Sequence, residues 1–159
     1  MKTVFAFLVI VVAGCVAWAQ APNAGGSSDD ISGMYSFLQG GEFVQINVED
    51  GGLVTGFVSR YGDSDADKGA FLDHTFSEGS LKGNAIHFKT RVVHGISYEF
   101  SGTVERGSGK TAADDGYRVI RGKLTEYTED ANKKMNARSR ELTMKSFPQD
   151  AVADRPQKD

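Results

Sequence analysis

Residues 33–147 contain no proline, and their apolar side chains recur at every second position between glycine-rich breaks. A period of two is the period of a β-strand, whose successive side chains point to opposite faces. Without proline, every segment can join a hydrogen-bonded ladder. Ile86, Phe88, Thr90 and Val92 fall on one face, and His87, Lys89 and Arg91 on the other. Ile96, Tyr98, Phe100, Gly102 and Val104 oppose Ser97, Glu99, Ser101 and Thr103, while Ile120, Gly122 and Leu124 oppose Arg121, Lys123 and Thr125. In "LVTGFVSRY" both faces carry apolar residues, so the pattern leaves open whether Val54 and Val58 or Leu53 and Phe57 point inward.

The breaks carry turn chemistry. Gly40-Gly41, Asp50-Gly51-Gly52, Gly79-Ser80, Lys82-Gly83-Asn84 and His94-Gly95 separate the runs, and glycine supplies the positive φ that tight hairpins need. Longer loops, "GSGKTAADDG" and "TEDANKKMN", separate the last three runs. The result is eight strands on short links, which favour antiparallel neighbours. The predicted fold is all-β, an eight-stranded antiparallel up-and-down barrel over residues 31–147. The same strands in a two-sheet β-sandwich are the alternative. The inner face of the barrel is expected to hold Phe76, Ile86, Phe88, Ile96, Tyr98, Phe100, Ile120, Leu124, Leu142 and Met144. So many bulky groups fill an eight-stranded lumen, leaving at most a cleft near one mouth, between His74 and Tyr98.

The ends of the chain read differently. Residues 1–19 combine Lys2, an uncharged apolar run over residues 4–18 and the small-x-small site Ala17-Trp18-Ala19, the layout of a secretory signal peptide. Val12-Ala13-Gly14-Cys15 offers a second reading, a lipobox in which Cys15, the only cysteine, carries the lipid. Residues 20–30 read as a flexible linker and residues 148–159 as a disordered tail. The expected location is periplasmic or extracellular, with membrane attachment only through a lipidated Cys15. With no cysteine left for disulfides, the exported domain depends on its core. Eighteen basic and 21 acidic residues, mixed along the chain, supply no basic face for nucleic acid.

The stretch "ISGMY…FVQINVEDGGLVTGFVS" resembles the opening of the avidin-like and lipocalin-like barrels, the calycins. Those begin with a Gly-x-Trp motif and continue into a hairpin with a Gly-x-Leu-x-Gly turn. Here Tyr35 stands in the tryptophan's place, and Gly52-Leu53-Val54-Thr55-Gly56 follows. The resemblance covers the first three strands. It is also similar to uncharacterised exported bacterial barrels in its "I-x-F…Y-x-F-x-G-x-V" strands. It implies a calycin architecture and, from the arginine that such barrels lay on the first-strand aromatic, a contact of Arg138 or Arg140 with Tyr35. The other reading of Tyr35 is packing among aliphatic side chains. Biotin binding does not carry over, because avidins grip biotin with several tryptophans and residues 20–159 have none.

Individual motifs carry little chemistry. Asp63, Asp65 and Asp67 alternate like the start of a calcium loop, but counting from Asp63 the sixth position is Lys68 and the twelfth His74, so a solvated turn is expected and no metal site. "GSGKT" at residues 107–111 lacks the earlier glycine of a phosphate-binding loop. His74, His87 and His94 are not spaced as paired ligands. No nucleophile elbow occurs, and no cofactor is indicated. The candidate ligand-binding residues are His74, Phe76, Phe88, Tyr98 and Phe100, lining an interior for a small apolar ligand. The alternatives are an interaction or structural protein of the envelope or extracellular space, and an enzyme at the barrel mouth.

Overall fold

The computed structural model describes residues 31–62, 65–130 and 132–149. The expected signal segment with Cys15, the expected linker, Asp63 and most of the expected tail lie outside the described residues. Eight strands follow one another in a single antiparallel sheet: β1 (Gly33–Ser36), β2 (Phe43–Val48), β3 (Val54–Tyr61), β4 (Phe71–Lys82), β5 (Ala85–Thr90), β6 (Ile96–Arg106), β7 (Arg118–Glu129) and β8 (Met135–Lys145). The sheet curls until its ends meet. Tyr35 bridges Ser146, the Phe147 N–H donates to the Met34 carbonyl, and the Lys145 N–H donates to the Ser36 hydroxyl. This is the up-and-down barrel, not the two-sheet sandwich. The seam is short, because β1 has only four residues, and β8 continues well past it.

The inner face is as expected for most positions. Ile86, Phe88, Tyr98, Phe100, Ile120, Leu124 and Met144 are buried, and Phe76, Ile96 and Leu142 pack against them. Phe76, Phe88 and Phe100 form a stack, with ring centroids 4.4 and 5.3 Å apart. Gly102 and Gly122 face each other across β6 and β7, and a Cβ on either would come within 3 Å of the Phe100 ring. Glycine there is the space the ring uses.

Two readings change and two open alternatives are decided. In β3, Val54 and Val58 point inward, and Leu53 is exposed. Val92 is exposed because β5 ends at Thr90. Gly79-Ser80 is no turn: β4 runs to Lys82, with Ser80 bridged to Leu53, and a Cβ on Gly79 would press on Val54. Glycine at 79 therefore serves the close approach of β3, and the turn falls at Gly83. The fourth concerns Tyr35. Its ring is buried and its hydroxyl donates to the Ile31 carbonyl at 2.7 Å, whereas Arg138 and Arg140 are both exposed. The cause is the length of β8. It starts at Met135, so Arg140 lies roughly 20 Å along the strand from the bridge at Ser146.

On the outer face of β2, β3 and β4, Phe43 meets Phe57 at 5.9 Å and Phe71 at 6.4 Å, and Tyr61 stacks on Phe71 at 4.5 Å. Phe57 is thus the outward-facing apolar residue that the double pattern of "LVTGFVSRY" left unassigned.

Candidate ligand site at the loop end of the barrel

Four links gather at one end of the barrel, those that join β1 to β2, β3 to β4, β5 to β6 and β7 to β8. The inward alternation of each strand, carried to this end, changes from apolar to polar. On β3, Val54 and Val58 lead to Arg60; on β7, Ile120 and Leu124 lead to Glu126; on β4, Phe76 leads to His74. Tyr98 of β6 stands among them.

Arg60 is the hub. It donates a short hydrogen bond to the Tyr98 hydroxyl, lies 3.8 Å from the Glu42 carboxylate and 4.0 Å from that of Glu126. Glu126 in turn holds Arg140 at 3.5 Å. Glu42 is 1% exposed, and its Oε1 accepts from Gln39 Nε2 at 3.0 Å and from the Tyr61 N–H at 3.1 Å. Arg140, at the other end of the chain of contacts, has 43% of its side chain in solvent. Charge thus runs inward from solvent, alternating in sign, to a carboxylate that is wholly enclosed. Buried charges need such pairing, since an isolated one costs far more than its Coulomb partners return.

His74 is as buried as Glu42, and its ring meets Tyr98 edge to face at 5.2 Å. The expected cleft between these two residues is therefore closed by their own contact. Neither ring nitrogen of His74 has a hydrogen-bond partner among the described residues, and neither has Glu42 Oε2. Burial lowers the His74 pKa below 6.5, and the Arg60 charge lowers it further. The backbone near Arg91 and Ile96, and Asp73, pull weakly the other way. Burial pushes the Tyr98 hydroxyl up to about 12, against the opposing pull of Arg60, so it stays protonated.

The lowered His74 value has a consequence for stability. As pH falls below about 6.5, the unfolded chain takes up a proton that the folded one refuses. Stability is therefore level above that point and declines toward the lowered folded value, by at most about 1.4 kcal/mol per pH unit. Replacing His74 with Phe should flatten the fall in melting temperature between about pH 7.5 and about pH 5.5. An unchanged slope in His74→Phe would show that the decline comes from other groups.

All five residues singled out from the sequence lie in one interior column. Phe76, Phe88 and Phe100 form its apolar part, and His74 and Tyr98 its loop end, where Phe37 meets Tyr98 at 5.5 Å. The sequence reading missed Glu42, Arg60 and Glu126, and gave Arg140 a different partner, Tyr35, from the one it has, Glu126. Glu126 was within reach, since it continues the Leu124 face by two positions. Arg60 depended on the unresolved parity of β3. Glu42 sits in a link, where alternation gives no direction.

The other motifs are occupied by the chain itself. Asp67 accepts from or pairs with His94 Nδ1 at 2.8 Å, tying the β3–β4 link to the β5–β6 turn. His87 points outward to the Ser101 hydroxyl at 2.9 Å. In the "GSGKT" loop, the Asp114 carboxylate accepts from the N–H groups of Lys110 and Thr111 at 2.8 Å each, which holds its pKa below the usual value.

No protein-family model and no curated protein sequence matches the chain. Among solved structures, it is similar to the rhizavidin–biotin complex, with a TM-score of 0.53 at 15% identity, covering 73% of this chain and 99% of that one. It is also similar to intact apo afifavidin, with a TM-score of 0.53 at 14% identity over 80% of this chain and 88% of that one. These likenesses show that the chain shares the barrel fold of those two proteins.

Proposed function

We propose that the protein is an exported binding module that holds a small molecule at the loop end of the barrel. The ligand enters from the loop side, its apolar part against Phe37 and its polar head at the Glu42, Arg60, His74 and Tyr98 group, and its entry displaces the edge-to-face contact of His74 with Tyr98 that closes the barrel. The observation that carries this reading is the enclosed Glu42 Oε2, which has no hydrogen-bond partner among the described residues, beside the His74 ring, whose nitrogens approach the backbone at Arg91 and Ile96 without completing a hydrogen bond. Buried polar groups are almost always hydrogen-bonded, and each exception calls for an occupant or a role. The likeness to rhizavidin, solved with biotin, supports a small molecule in a barrel of this shape. The reading does not extend to biotin, since residues 20–159 contain no tryptophan.

Native mass spectrometry of protein purified from its own host tests this directly. The expected spectrum carries an added small-molecule mass that disappears in His74→Phe while that variant stays folded. A bare protein, whose melting temperature also fails to move with a small-molecule extract of the host, rejects the reading. The same spectra report whether the chain starts at Gln20 or carries a diacylglycerol on Cys15.

A further inference from the structure

Among the described residues, the long strand β8 is paired on one side only for most of its length. Its register with β7 is unbroken from Met135 opposite Glu129 to Lys145 opposite Val119. On its other side, β1 reaches it only at residues 145–147. Residues 135–141 are exposed on both faces.

The direction of the backbone groups along this edge follows from the seam. The Lys145 N–H points to β1, where it meets Ser36, and so does that of Phe147, which meets Met34. The Ser146 N–H points to β7 and donates to the Arg118 carbonyl. Antiparallel ladders alternate strictly, so the N–H and C=O groups of Ala137, Ser139, Glu141 and Thr143 also point away from β7. They form a row of outward donors and acceptors of the kind that accepts another strand.

Charge decides what that strand is. Residues 132–140 contain Lys133, Lys134, Arg138 and Arg140 and no acid. Arg138 and Arg140 share the inner side of the strand and flank a single carboxylate, Glu126, which lies opposite Arg138 and pairs with Arg140. A second copy of β8 fits poorly. In antiparallel registers centred on residues 138–140, an arginine of one copy meets an arginine of the other, and like charges directly opposite are unfavourable. Inward-pointing charge of this kind is also how natural edges resist self-pairing.

We propose that the β8 edge is a docking strip for an extended acidic segment of a partner protein, added as a ninth strand beside residues 135–143. Alternate acidic side chains of the segment face Arg138 and Arg140, and its backbone bonds to Ala137, Ser139, Glu141 and Thr143. The proposal does not rest on the ligand reading, since it uses the backbone edge of β8, although Arg140 also pairs with Glu126 of the loop-end group.

The test uses the full chain, isotope-labelled, and a capped eight-residue peptide of alternating threonine and glutamate. Hydrogen exchange of the Ala137, Ser139, Glu141 and Thr143 amides should slow when the peptide is added. A peptide with lysine in place of glutamate should bind at least about ten-fold more weakly, as expected if close charge pairs select the partner. Methylation of alternate peptide nitrogens should abolish the protection. Ala137→Pro removes one outward donor without touching the β7 ladder, an edge position where proline is tolerated. It should weaken binding about five- to ten-fold, the value of roughly one hydrogen bond. The proposal is overturned by unchanged exchange at millimolar peptide, by equal binding of the lysine peptide, or by indifference to peptide methylation. Protection of the same amides that rises with protein concentration alone would also overturn it, by making the occupant a second copy.

Discussion

Phe88→Ala should destabilise the protein by about 3–5 kcal/mol, measured as a lower denaturation midpoint with an unchanged denaturant slope. Phe88 is completely buried, and its ring lies between Phe76 at 4.4 Å and Phe100 at 5.3 Å. Truncation removes the transfer free energy of the ring and leaves a cavity. The neighbours cannot close over it, because β5 is held on one side by β4 and on the other by β6. Offset aromatic stacking adds about 0.5–1.5 kcal/mol beyond area burial. Phe100→Ala should behave alike, since its ring fills the space above Gly102 and Gly122. A loss below about 1 kcal/mol in both variants would mean that these rings line open space and not a packed core.

Arg60→Met should cost a similar amount, about 3–5 kcal/mol, for a different reason. Glu42 is 1% exposed and has Arg60 at 3.8 Å. Without the guanidinium, its carboxylate keeps the hydrogen bonds from Gln39 and Tyr61 but loses its opposite charge. Tyr98 also loses the donor to its hydroxyl. Adding Glu42→Met to Arg60→Met should restore much of the stability, because an apolar pair of similar volume is no worse than a buried ion pair. The expected coupling is therefore large and of opposite sign to the single effects. If Arg60→Met shifts stability by less than about 0.5 kcal/mol, as a surface substitution does, the Glu42–Arg60 pair is not the enclosed one described.

The two predictions separate two layers of the interior. The apolar layer around Phe88 accounts for cohesion. The polar layer at the loop end stabilises little in net terms and is costly to break. The pH response of His74 belongs to this second layer.

Strand number, antiparallel order and the apolar column from Phe100 to Phe76 are all legible in the sequence. The physical reason is that side-chain direction in a strand is strictly periodic, and wherever one face is apolar the parity is unambiguous. The turns at Gly41, Gly51 and Gly83 are legible for a related reason, since few other residues adopt their positive φ. Gly79 shows where that logic stops. A glycine that makes room for a neighbouring backbone looks the same in sequence as one that turns the chain.

What only the tertiary structure decided lies where one strand's pattern is ambiguous or where two distant segments meet. "LVTGFVSRY" has apolar residues on both faces because its outer face packs Phe57 beside Phe43 on β2. That double pattern hid the inward direction of Arg60, and with it the whole charged group, since Glu42, Tyr98 and Glu126 are brought to Arg60 by closure of the sheet. Closure also determined which part of β8 meets β1. The bridge at Ser146 places Tyr35 away from Arg138 and Arg140 and leaves their edge open. Alternation along one strand specifies a face; only the seam of the barrel specifies which strands share it at each height.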